Sequence, residues 1–120
     1  MPLIIHADDF GKDESVSRCI VDVMRRGWCS ETSLMVNMPF ADSAVELARK
    51  EGFSQHVGLH LNLTHGMPLT DDIRNCQRFC NADGTFNKFF HLRITSRLWL
   101  SARERRAVAT ELEAQLEKFL

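Results

Sequence analysis

The chain has 120 residues, 44% of them apolar and 26% charged, with a formal net charge of -1. That is enough to bury one ordinary core, so the sequence reads as one domain or part of one. The near-neutral balance gives no field that would steer the molecule to nucleic acid or to a membrane surface, and no stretch approaches the ~20 apolar residues of a membrane span.

Leu3 to Ala7 is a short apolar run ending at Asp8-Asp9-Phe10-Gly11, which predicts a buried strand that stops in a polar turn. The run is too short for the apolar region of a signal peptide. Val16, Cys19, Ile20, Val23 and Met24 then recur at helical spacing, with Gly27 as the left-handed stop. Thr32 to Met38 is rich in strand-forming residues. After Pro39, Asp42 or Ser43 is placed to cap a helix that buries Ala44, Leu47 and Ala48 and ends at Gly52. Val57, Leu59, Leu61 and Leu63 alternate with Gly58, His60, Asn62 and Thr64, predicting a third strand with two unlike faces. Strands alternating with helices at this pitch predict an α/β fold with a parallel sheet, open or closed into a barrel.

The pattern changes from Met67 to Leu100, which shows no sustained period and reads as an ordered insertion holding turn chemistry at Asn81-Ala82-Asp83-Gly84. Phe79, Phe86, Phe89, Phe90 and Trp99 are scattered around it; such rings either line a sugar or peptide site or pack the loop onto its own domain. Ser101-Ala102-Arg103-Glu104 is a capping box, and Val108, Leu112, Leu116 and Phe119 continue at helical spacing to the end. Arg93, Arg97, Arg103, Arg105 and Arg106 form a local basic cluster that reads as solvated helix surface. Cys19, Cys29, Cys76 and Cys80 lack paired C-x-x-C spacing and read as reduced thiols of a cytoplasmic protein; Cys76-x-x-x-Cys80 could give two zinc ligands but has no second pair.

Chemistry concentrates in two segments. Carboxylate and neutral imidazole are standard ligands for a divalent ion, and a second carboxylate nearby can take a proton from water. Asp8 and Asp9 are adjacent, so strict alternation would point them to opposite faces; they can serve one site only if the backbone re-aims one of them. Asp-Asp before Gly is equally a polar turn opening a helix. His60 reads either as a ligand or as a hydrogen-bonded structural histidine, and Asn62 either orients a bound group or satisfies strand-end backbone. Gly58 leaves room for close approach. His6, His56, His65 and His91 are weaker candidates. There is no G-x-S-x-G elbow and no phosphate-binding glycine motif.

Ala7-Asp8-Asp9-Phe10-Gly11, Thr32-Ser33-Leu34-Met35-Val36-Asn37-Met38-Pro39 and Gly58-Leu59-His60-Leu61-Asn62-Leu63-Thr64 through Gly66-Met67-Pro68-Leu69 together resemble the N-terminal half of the YdjC-like carbohydrate deacetylases, the group that includes chitooligosaccharide deacetylase. The resemblance implies a distorted (β/α) barrel, here apparently truncated, because a complete barrel of this class needs roughly 250 residues. It implies hydrolysis of N-acetyl groups from small amino-sugar oligosaccharides with a divalent ion, magnesium or zinc. Carried over by motif, Asp8 would be the general base and Asp9 and His60 two of three protein ligands, with Asn62, Met67 and Pro68 near the substrate. The third ligand of the family comes from a later histidine-rich motif that would follow Leu120. Residues 1–120 would then form one partial domain with an insertion at about 67–100, whose exposed sheet edge would favour a homo-oligomer. The alternative is a non-catalytic binding or self-assembling fragment.

Overall fold

Three parallel strands in the order β1-β2-β3 form the sheet of a computed structural model that describes residues 3–90 and 99–120. Strand β1 (His6–Phe10) leads into helix α1 (Glu14–Arg25), β2 (Glu31–Leu34) into α2 (Ala41–Glu51), and a 3-10 turn at Ser54–His56 delivers β3 (Val57–Leu59). Helices between successive parallel strands are the β-α repeats that the alternating pattern predicts.

The first helix starts where Asp13 accepts a hydrogen bond from Val16 N–H at 2.9 Å, and Gly27 follows its end at φ 67°. The second begins without a side-chain cap, from Phe40 rather than from Asp42 or Ser43. Successive turn bonds, Met38 N–H to Met35 O and Ala41 N–H to Met38 O, already wind the chain into the helix there, so no capping side chain is required to start it. Gly52 ends it in the left-handed conformation, as expected. Phe10, Ile20, Leu34, Met35, Ala44, Ala48 and Phe53 are all buried, with the Phe10 and Phe53 rings 5.8 Å apart.

Two strand expectations are corrected. The run Leu3 to Ile5 is not buried: these side chains are 80, 68 and 47% exposed, and the strand is displaced toward Asp8 and Asp9. Its only described partner is β2, on one edge, and only its last residue, Phe10, reaches the core. The third strand stops at Leu59 instead of continuing to Thr64, because Asn62 turns back on the following residues and captures their backbone donors.

The chain divides into two compact units, Met1–His60 and Leu61–Leu120. The second contains the short helix α3 (Asp71–Arg74) and the long helix α4 (Ala102–Phe119), with Ile73, Cys76, Phe79, Cys80, Phe86 and Ala107 as its core. Phe79 and Phe90 meet edge to face at 5.2 Å, so these aromatics pack their own loop, while Phe89 and Trp99 are exposed. The turn at Asn81-Ala82-Asp83-Gly84 forms as expected, closed by Gly84 N–H to Asn81 O and by Asp83 accepting from Thr85. The capping box at Ser101 is complete, with Glu104 N–H donating to Ser101 Oγ and Ser101 N–H to Glu104. Helix α4 buries Ala107, Glu111 and Gln115 and packs Val108 against this core, whereas Leu116 is 46% exposed. No described helix is long and apolar enough to cross a membrane. His91, Arg93 and Arg97 lie outside the described residues.

Candidate metal centre

The adjacent aspartates are reconciled with one site by a defect in the sheet. Ala7 pairs with Thr32 and Phe10 with Leu34, so two residues of β1, Asp8 and Asp9, stand against the single Ser33 of β2. This extra residue is a β-bulge, and Asp9 absorbs it in the left-handed region at φ 70°. Asp is one of the few residues other than glycine that enters this region at modest cost. The bulge turns both carboxylates toward the end of β3, and Asp8 Oδ1 and Asp9 Oδ1 each lie 3.9 Å from His60 Nδ1. Gly11 closes the turn at φ 84°; a Cβ there would stand 2.8 Å from Leu34 Cδ1 and 3.2 Å from Ala41 Cα.

Ser33 is the hub that sequence reasoning missed. Its Oγ, 7% exposed as a residue, donates to Asp8 Oδ1 at 3.3 Å and lies 3.2 Å from His60 Nδ1 and 3.0 Å from His6 Nε2. The register explains the gathering, since Ser33 pairs with Gly58 of β3, two residues before His60, and stands opposite the bulge of β1. Within a β-rich run, a serine carries no signal of its own; only strand pairing reveals its neighbours.

His6, one of the weaker candidates from sequence, also joins the cluster. Its Nε2 is 3.3 Å from Asp8 Oδ1, as a residue two positions from Asp8 on the same face must be. Lys12 places Nζ 2.9 Å from Asp9 Oδ2, leaving Oδ1 on the side of His60. Asp9 N–H makes a long contact of 3.5 Å to His60 Nδ1. At Gly58 an added Cβ would meet nothing nearer than the Thr32 carbonyl oxygen at 3.8 Å, so packing within the protein does not demand glycine there.

The remaining sequence candidates, His56 apart, belong to the second unit. Asn62 is 3% exposed, and its amide is committed to the loop, with Oδ1 accepting from Thr64 N–H, Thr64 Oγ1 and His65 N–H and Nδ2 donating to His65 O. Met67 is 43% exposed and Pro68 is buried. His65 Nδ1 stands 2.8 Å from Thr64 Oγ1. His56 pairs with Glu31 at 3.2 Å, away from the cluster. Cys76 and Cys80 sit in the apolar core of the second unit, where burial pushes the Cys80 thiol up to about 11. A thiol held protonated there is a poor zinc ligand.

Two carboxylates and an imidazole are a donor set for a divalent cation. Ligand atoms about 2.1 Å from one ion are at most about 4.2 Å apart, so separations of 3.9 Å let Asp9 Oδ1 and His60 Nδ1 share one. Among the described residues no group of three or more His, Cys, Asp and Glu side chains is arranged to hold a metal ion.

The bulged β-α sheet thus carries paired carboxylates and a histidine together at its strand ends. The chain belongs to the YdjC-like protein family, whose model matches residues 2–120. It is 35% identical over 119 residues to the carbohydrate deacetylase of Halalkalibacterium halodurans, covering 99% of this chain and 47% of that protein. Against carbohydrate deacetylase 2 of Listeria innocua it is 43% identical over 88 residues, covering 73% of the chain and 34% of the relative. A carbohydrate deacetylase of Danio rerio matches at 34% over 119 residues. Among solved structures, a protein of Enterococcus faecalis provisionally described as a cellobiose-phosphate cleavage protein superposes with a TM-score of 0.77 at 26% identity, over 97% of this chain and 42% of that one. The chain therefore spans about half the length, or less, of the relatives it matches.

Proposed function

We propose that the protein is a carbohydrate deacetylase that hydrolyses the N-acetyl group of amino-sugar oligosaccharides such as chitooligosaccharides, with a divalent ion, magnesium or zinc, held in part by Asp9 and His60. The observation that carries this reading is the bulge that brings Asp8 Oδ1 and Asp9 Oδ1 to 3.9 Å from His60 Nδ1. The carbohydrate deacetylases among the relatives support the substrate class. When bound, such an ion supplies Lewis-acid polarisation of the acetamide carbonyl and acidification of water.

The protein's own groups divide the remaining work. Asp8, with its side chain 73% exposed, is open to water and is the proton acceptor. Ser33 Oγ and His6 Nε2, both on Asp8 Oδ1, fix that carboxylate and leave Oδ2 to take the proton. Lys12 draws on Asp9 Oδ2 and so orients Oδ1 toward His60. The resemblance to the family, rather than any geometry, supports Asn62, Met67 and Pro68 as the substrate-contacting residues in this reading.

The test is acetate release from N,N'-diacetylchitobiose by the protein at its native length, with Asp9→Asn and His60→Ala as comparisons. Wild-type turnover that chelation abolishes and either substitution removes supports the reading; full activity in either variant overturns the ligand assignment. The exposed run Leu3 to Ile5 beside β1 favours a second reading, self-association through that edge, which light scattering at rising concentration decides.

A further inference from the structure

The face of α4 turned inward carries a carboxylate and an amide where an apolar ridge is the rule. Glu111 and Gln115 are both 0% exposed. Burying these groups is costly unless each polar atom is matched, and here each is matched by the segment that follows His60. Glu111 Oε1 accepts from Leu69 N–H at 3.1 Å and from Gln115 Nε2 at 2.8 Å; Oε2 accepts from Thr70 N–H and Thr70 Oγ1, both at 2.9 Å. Gln115 grips one peptide from both sides, with Oε1 accepting Asn62 N–H at 2.9 Å and Nε2 donating to Asn62 O at 2.7 Å. That pair of bonds is what a neighbouring strand would offer, yet it comes from a helix. Among the described residues no lysine or arginine forms an ion pair with Glu111, and both of its oxygens are matched by hydrogen-bond donors.

We infer that Glu111 and Gln115 are positioning residues that set the conformation of residues 62–70, and that through this segment they tune substrate binding; the second clause rests on the deacetylase reading above. Anchors at Asn62 and at Leu69-Thr70 pin both ends of the segment, and Asn62 folds its interior through Thr64 and His65. Between the anchors Met67 stays 43% exposed. A loop whose ends are fixed by buried, fully satisfied polar groups presents its exposed side chains in one arrangement, which lowers the entropy lost on binding.

The test combines amide exchange with kinetics on the protein at its native length. Glu111→Gln keeps the shape but puts an NH2 group against backbone N–H donors, and Gln115→Met keeps the length but removes both bonds to Asn62. The expected result is exchange faster by about tenfold or more at Leu69 and Thr70 in the first variant and at Asn62 in the second, with the amides of α1 and β2 unchanged. In both, KM for the acetylated sugar rises several-fold while kcat stays within about twofold. Unchanged local exchange, or a uniform rise throughout the chain with kcat and KM lost together, overturns the inference. Wild-type protein without acetate release refutes the deacetylase reading instead, and local exchange then decides the anchoring alone.

Discussion

Replacing Asp9 by alanine and, separately, by glycine isolates the backbone strain on which the site depends. Both substitutions remove the same carboxylate, the 2.9 Å contact with Lys12 and the approach to His60. They differ only in what a Cβ costs at φ 70°. In ordinary backbone alanine is the more stable of the two by about 0.4–1 kcal/mol, through the entropy of the unfolded chain. A left-handed residue with a Cβ costs roughly 1–2 kcal/mol, which glycine avoids. The difference reverses the order: the Asp9→Gly protein should be the more stable by about 0.5–1 kcal/mol. Urea unfolding followed by far-UV circular dichroism, with the two variants side by side, reads this as a higher midpoint for the glycine variant at equal slope. Equal midpoints, or a higher one for alanine, would refute the claim that a strained Asp9 holds the bulge open.

The turn beside it is constrained more tightly. Gly11→Ala combines a positive φ with a Cβ at 2.8 Å from Leu34 Cδ1 and 3.2 Å from Ala41 Cα, and should cost roughly 2–4 kcal/mol in the same assay, whereas Gly58→Ala, with only a carbonyl at 3.8 Å, should cost little. Ser101→Ala removes one arm of the capping box of α4 and should cost about 1 kcal/mol, seen as a lower melting temperature. For Cys80, burial raises the thiol from 9.0 to about 11, so the folded state keeps a proton that the unfolded state gives up from about pH 9. Its contribution to stability is therefore complete below pH 9 and is lost as the pH rises toward 11; Cys80→Ala should flatten the fall in urea midpoint across that window. At pH 7.5 a thiol reagent should label Cys19, which is exposed, and spare Cys76 and Cys80 until the protein unfolds.

The helices were the most legible elements, because Asp13, Gly27, Gly52 and the Ser101 capping box act within a turn of the residues they stop or start. Asp8, Asp9 and His60 stand out as chemistry-bearing residue types at predicted strand ends, but the means of joining the two aspartates is not written locally. It comes from the register between β1 and β2, a pairing of residues about 25 apart that no short window contains. Ser33 carries no local signal, and His6 only a weak one, for the same reason. Strand three was read too long because alternation of Leu61 and Leu63 continues past the point where Asn62 and Gln115 capture the backbone. The inward face of α4 is only partly legible from apolar spacing, because Val108 packs on the core while the fully buried Glu111 and Gln115 are polar.

The central claim is tested most directly by acetate release from N,N'-diacetylchitobiose, with the protein at native length assayed before and after EDTA and after return of magnesium or zinc. Turnover that EDTA stops, that the metal restores, and that is absent from Asp9→Asn under every condition is the predicted result. Acetate release unaffected by EDTA, or equal in wild type and Asp9→Asn, would contradict the assignment of Asp9 and His60 to a metal centre.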